Sequence, residues 1–177
     1  MQETGTRINK YMSQCGYCSR READRLIEKG EVWINGTLAT MGTKVMPGDT
    51  VMVHHTTITP CQKEYLLAFH KPAGIVCTTS KIDKNNIIDY LNFPERIYPV
   101  GRLDKESTGL LLLTNNGQLM DDILRGSNYH EKEYIVHVNK PITDSVLQAM
   151  AQGVPILDTI TRPCKIRRMG KDCFYIT

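Results

Sequence analysis

Five side chains able to do chemistry fall within residues 102–107: Arg102, Asp104, Lys105, Glu106 and Ser107. Gly101 and Gly109 bracket them, and the flanking segments 97–100 and 110–114 read as strands. A carboxylate on a loop between strands can attack or stabilise an electron-poor carbon. Asp104 and Glu106 could also divide acid and base roles, as paired carboxylates do in glycoside hydrolysis. Residue spacing alone does not separate these uses from a solvated loop.

Two other groups invite a chemical reading. Cys15 and Cys18 have the spacing of a redox pair or of half a zinc site. Zinc would need a second ligand pair, for which the sequence offers only the adjacent His54 and His55 or isolated thiols. A redox motif would follow a strand, whereas helical periodicity surrounds this one, so the thiols are read as unligated, at a turn between helices. His54 and His55, as neighbours on a strand, would point to opposite faces and are expected in solvent. With no metal-ligand spacing and no glycine-rich phosphate loop, no metal or cofactor is expected. The second group is basic: residues 4–21 hold Arg7, Lys10, Arg20 and Arg21 and no acid, in a chain whose net charge is only +3. That cluster suits phosphates as well as it suits a solvated helix face.

The elements that would position these groups can be read along the 177 residues. Ile8, Met12 and Cys15 recur at helical spacing, and Ser19-Arg-Arg-Glu22 has the form of a capping box that starts a second helix. Ala23, Leu26 and Ile27 give that helix its apolar face, and Gly30 ends it. Val32-Trp-Ile34 before Asn35-Gly36 reads as a strand entering a tight turn, and Pro47-Gly-Asp49 as a turn into a strand at 50–53. Residues 54–64 are polar and aperiodic, the pattern of a linker. Beyond them the expected order is strands at 65–70 and 75–78, a helix at 87–91, and strands at 97–100 and 110–114. A helix at 118–124, a strand at 134–138, a helix at 143–151 and a strand starting at 174 follow. The all-apolar run 110–114 is expected as a buried central strand. The fold class is α+β with a mixed or antiparallel sheet. The longest apolar runs fall far short of the ~20 residues that span a bilayer, and the polar N-terminus lacks the plan of a secretory signal, so a cytoplasmic protein is expected.

Arg7-Ile-Asn-Lys-Tyr11, Cys18-Ser-Arg-Arg-Glu-Ala-Asp24, Gly30-Glu-Val-Trp-Ile-Asn-Gly36 and Pro47-Gly-Asp49 resemble the small RNA-binding domain named after the fourth protein of the ribosomal small subunit. The resemblance implies that Arg7, Lys10, Arg20 and Arg21 face RNA. Gly101-Arg-Leu-Asp104, with Ser107 and Gly109 before the apolar run, resembles the signature of the pseudouridine synthases that carry such an N-terminal domain. Lys71-Pro-Ala-Gly74, His130-Glu-Lys-Glu-Tyr134, Lys140-Pro-Ile-Thr143 and Gly153-Val-Pro-Ile-Leu157 extend that resemblance along the chain.

What the resemblance implies is an RNA-binding domain at 1–53, a linker at 54–64 and a catalytic domain at 65–177. Its substrate would be RNA, chiefly large-subunit ribosomal RNA with transfer RNA as a second candidate, and the protein is expected to act as a monomer. Asp104 would attack the ribose carbon or act as a base on the sugar, Arg102 would hold the RNA displaced when the uridine is flipped out or fill the gap it leaves, and Tyr134 would pack against the uracil and assist removal of the C5 proton. The isomerisation is redox-neutral and calls for no cofactor. Members of the family continue with an arginine-rich motif that gives the aspartate a basic partner. Ile166-Arg-Arg-Met169 looks like that motif but precedes the strand at 174, and is read as part of a hairpin. The catalytic domain is therefore expected to lack its C-terminal part and to be weakly active or inactive alone. A non-catalytic RNA-binding relative is the alternative.

Overall fold

The computed structural model describes residues 5–80 and 82–177. The chain divides into two compact units, Met1–Arg125 and Gly126–Thr177.

The first unit opens with a short strand β1 (Thr6–Arg7), helix α1 (Ile8–Gln14) and helix α2 (Arg20–Glu28). The Ser19 hydroxyl accepts from the Glu22 amide at 3.1 Å and starts α2 as the capping box implies. Glu22 does not reach back; its carboxylate accepts from Arg25 at 2.7 Å, one turn along the same exposed face. Ile8, Met12, Ala23, Leu26 and Ile27 are buried together, so the 3- and 4-residue spacing forms one apolar seam. Against it lies a four-stranded sheet of β2 (Val32–Ile34), β3 (Thr37–Leu38), β5 (Val51–Val53) and β6 (Thr56–Ile58), in the order β3-β2-β5-β6. The remaining strand, β4 (Lys44–Val45), pairs with β1.

Two turns of this sheet need left-handed backbone. Asn35 and Gly36, at φ 50° and 80°, join β2 to β3 in the geometry that Asn-Gly favours. His54 and His55 join β5 to β6 at φ 46° and 65°. They form a turn, not part of a strand, and the stretch read as a linker contributes β6 to the sheet. Both imidazoles are exposed, with His55 stacked on Trp33 at 5.5 Å between ring centroids.

The rest of the unit is a three-stranded sheet of β7 (Leu66–Lys71), β8 (Tyr98–Val100) and β9 (Gly109–Thr114), ordered β7-β9-β8 with β9 central. Every ladder among the described residues is antiparallel. The expectation that β9 is buried throughout needs correction. Leu111 and Leu113 pack with Ile87 and Ile97, whereas Leu110 on the opposite face is 69% exposed. A strand between two neighbours in a sheet covered on one face alternates, whatever its composition. The strand expected at 75–78 is also absent. The Val76 carbonyl accepts from Ile87 and its amide donates to Asn85, so the groups a ladder would use are spent on the start of helix α3 (Ile87–Leu91). Asn116 caps helix α4 (Gly117–Leu124), its side chain accepting from the amides of Gln118 and Leu119.

The second unit holds β10 (Tyr134–His137), β13 (Ile166–Arg168) and β14 (Cys173–Ile176), ordered β10-β14-β13. Helix α5 (Asp144–Ala151) is capped by Thr143. The two-residue strands β11 (Pro155–Ile156) and β12 (Thr159–Ile160) form a hairpin. The buried apolar residues of this unit are Leu147 of α5 and Cys173 and Phe174 of β14. No helix among the described residues is long and apolar enough to cross a membrane.

Candidate active site

The loop 101–108 is held at both ends and in the middle. Gly101 and Gly109, at φ 92° and 139°, turn the chain out of β8 and back into β9 where a side chain would strain the backbone. Between them the Leu103 amide donates to Cys77 Sγ at 3.4 Å, and the Ser107 amide closes a turn on the Asp104 carbonyl at 3.1 Å. The main anchor is Lys71 at the end of β7, which is fully buried. Its Nζ donates to the carbonyls of Pro72, Lys105 and Ser107 at 2.9, 2.9 and 2.8 Å. An ammonium has three N–H groups, and each has an acceptor here. The Gly74 amide adds a second bond to the Lys105 carbonyl at 2.8 Å. The backbone just after Asp104 is therefore fixed from beneath.

Asp104 itself is exposed, and its carboxylate has no ion-pair partner among the described residues. Arg102, two residues earlier, lines an open cleft of about 560 Å³ together with Val76, Cys77, Thr78, Thr79, Pro99 and Gly101. Asp104 is thus an exposed acid on a firmly anchored loop; it lines neither cleft itself, and the same loop contributes Gly101 and Arg102 to the wall of the larger one. Such a carboxylate can approach a carbon centre of a bound ligand.

The basic residues separate into two sets. Lys10 and Arg20 share a smaller cleft, of about 270 Å³, with Ser13, Ser19, Arg96 and Tyr98. The Arg20 guanidinium reaches the start of α4, its Nη2 lying 3.9 Å from where a Gly117 Cβ would stand. Arg7 and Arg21 are exposed and line neither cleft. No sequence signal marks Arg96, which stands alone between Glu95 and Ile97. Its guanidinium donates to the Cys18 carbonyl, in the turn between α1 and α2, and sits 5.5 Å from the Tyr98 ring centre.

Tyr134 opens β10 in the second unit, opposite Ile176 of β14, and is 43% exposed. In the same sheet β13 and β14 form the hairpin expected around Ile166-Arg-Arg-Met169. Arg168 pairs there with Asp144 at 2.7 Å and donates to the Ile142 and Gly170 carbonyls, while Arg167 lies over the Tyr175 ring.

Cys15 and Cys18 are free and half-buried against the first core. Burial pushes both thiols up to about 11. No group of three or more potential metal-ligating side chains occurs among the described residues.

Residues 65–164 match the family described as RNA pseudouridylate synthase, and residues 6–51 match the S4 domain. The chain is 51% identical over 177 residues to the dual-specificity RNA pseudouridine synthase RluF of Salmonella typhi, a match covering 99% of this chain and 61% of that protein. It is 32% identical over 170 residues to the ribosomal large subunit pseudouridine synthase B of Bacillus subtilis, covering 94% of this chain and 69% of the relative. A crystal structure of a pseudouridylate synthase superposes with a TM-score of 0.62 at 25% identity, covering 96% of this chain and 75% of the other. The chain thus spans 61% of the length of the RluF sequence it matches.

Proposed function

The chain belongs to the RNA pseudouridylate synthase family and carries an S4 domain before its synthase region, and from that premise we propose that it isomerises uridine to pseudouridine in RNA with Asp104 as the catalytic acid group. The observation that supports the proposal is the exposed Asp104 on a loop anchored by Lys71, two residues after Arg102, which lines an open cleft.

The reaction breaks the bond between uracil N1 and the ribose carbon, rotates the base, and joins C5 to the same carbon; the C5 proton leaves and N1 gains one. The ribose carbon becomes electron-poor as the first bond breaks, and a fixed carboxylate stabilises or bonds to it. A stacked base is out of reach of such a group, so the uridine is extruded. Arg102, in the cleft wall, holds the displaced RNA. Tyr134 packs against the uracil and assists removal of the C5 proton. Lys10 and Arg20, with Arg7 and Arg21 outside their cleft, supply the phosphate contacts of the RNA-binding module, whose expected bounds of 1–53 extend to take in β6 and which is followed by the synthase domain from residue 65. Large-subunit ribosomal RNA is the substrate, a reading supported by the name of the Bacillus subtilis relative.

The test is Asp104→Asn, which keeps shape and removes charge. Product formation, followed by tritium release from C5-labelled RNA, is expected to fall on the order of 10³-fold while RNA affinity stays within about twofold. Undiminished turnover by the Asn variant would overturn the proposal, and so would RNA binding without turnover by the unsubstituted chain, which would leave a non-catalytic RNA-binding relative.

A further inference from the structure

The two clefts of the first unit share one residue. Thr79 lines the smaller cleft with Lys10, Arg20, Arg96 and Tyr98, and it lines the larger one with Arg102. Thr79 thus stands in the wall of both, between the helix pair on one side and the loop that carries Asp104 on the other. Four cations, Lys10, Arg20, Arg96 and Arg102, face two acids, Asp83 and Asp121, in the two clefts. The half-buried Tyr98 ring lies in the smaller cleft, oriented by a 3.3 Å bond from its hydroxyl to the Asn115 carbonyl. A positive groove with an aromatic ring in its wall is how proteins follow unpaired nucleic acid: the cations track phosphates and the ring stacks a base.

We infer that an unpaired RNA strand runs along this path, from Lys10 and Arg20 past Arg96 and Tyr98, over Thr79, to Arg102. The inference rests on the reading of the protein as an RNA-modifying enzyme. It adds Arg96, Tyr98 and Thr79 to the RNA-contacting set and makes the catalytic loop the end of a track that begins on the RNA-binding module. Arg96 has a double part, since the guanidinium that faces the strand also ties the α1–α2 turn to the region before β8 through the Cys18 carbonyl.

Thr79 is exposed and lies in no helix or strand, so a substitution there tests the path without disturbing a core. The probe is a fluorescein-labelled RNA hairpin with an unpaired, pyrimidine-rich loop, titrated with the full chain. Thr79→Glu puts a negative charge in the middle of the track, and Thr57→Glu puts the same charge on an exposed residue of β6 outside both clefts. Thr79→Glu is expected to weaken binding about tenfold or more, with Thr57→Glu within about twofold of the unsubstituted chain. Arg96→Gln is expected to lower the slope of log affinity against log salt by about 1. Equal binding by the two Glu variants, or equal losses in both, would overturn the track and leave the proposed activity standing. Failure of the unsubstituted chain to bind the hairpin at all would likewise overturn the track, whereas the proposed activity stands or falls on tritium release.

Discussion

Lys71 Nζ donates to the Ser107 carbonyl at 2.8 Å and so joins the end of β7 to the loop that carries Asp104. With its bonds to Pro72 and Lys105, it satisfies three carbonyls from a side chain that sees no solvent. Lys71→Met keeps the length of the stem and removes every donor. Part-buried acceptors left without their donor cost up to about 1–3 kcal/mol, and the loop loses its main anchor while the Gly74 bond to Lys105 survives. The variant is expected to lose stability by that amount in urea unfolding, and to form product at least about tenfold more slowly at unchanged RNA affinity. An intact rate would mean that the loop keeps its geometry without the lysine.

The thiols of Cys15 and Cys18, raised by burial to about 11, should be poor nucleophiles. At pH 8 a thiol of that kind is about one part in a thousand thiolate, against roughly a quarter for an ordinary cysteine. Alkylation by iodoacetamide at that pH, followed residue by residue by mass spectrometry, is expected to be on the order of 100-fold slower at these two positions than for free cysteine. Rapid modification of either would restore the redox reading of the pair.

How much of this was open to sequence reasoning depended on whether the signal was local. The Ser19 cap, the Asn35-Gly36 turn and the seam from Ile8 to Ile27 depend on spacings within one or two turns of chain, and they stand where the spacing puts them. The side of β9 that would be buried depends on what covers each face, and an all-leucine run carries no record of that. Residues 75–78 look like a strand in isolation, but their backbone bonds are taken by the cap of α3, ten residues away. The candidate site divides in the same way. Arg102 and Asp104 sit in a compact motif, whereas the burial of Lys71 and the meeting of Arg96 with Lys10 and Arg20 are products of tertiary packing.

The β5–β6 turn holds two histidines in a conformation that L side chains disfavour by ~1–2 kcal/mol each. Replacing His54 and His55 together with Asn and Gly supplies the pair such turns favour. Against that gain stand the stacking of His55 on Trp33 and the exposed approach of His54 to Glu31 at 3.6 Å. Surface contacts of this kind contribute less than the strain does, so the double variant is expected to be more stable by ~1 kcal/mol in urea. A less stable variant would show that the Trp33–His55 stack matters more than the backbone.

Asp49 sets a limit on acid stability. Its carboxylate accepts from the Met46 amide and from the Asn35 side chain, each at 2.7 Å, and these bonds, the backbone one first, hold it below its ordinary value of 3.8. A carboxyl whose folded pKa is depressed contributes its full stabilisation above the unfolded value, and loses it as pH falls through the folded one. The bonds join two turns, since Asn35 begins the β2–β3 turn and Asp49 closes the turn before β5. Asp49→Asn removes the titrating group while keeping one acceptor oxygen. The urea midpoint of the unsubstituted chain is expected to fall more steeply below about pH 4 than that of the variant, with the two curves parallel above about pH 5. Identical acid limbs would mean that Asp49 titrates alike in the folded and unfolded chain, and that the two turns hold together without its charge.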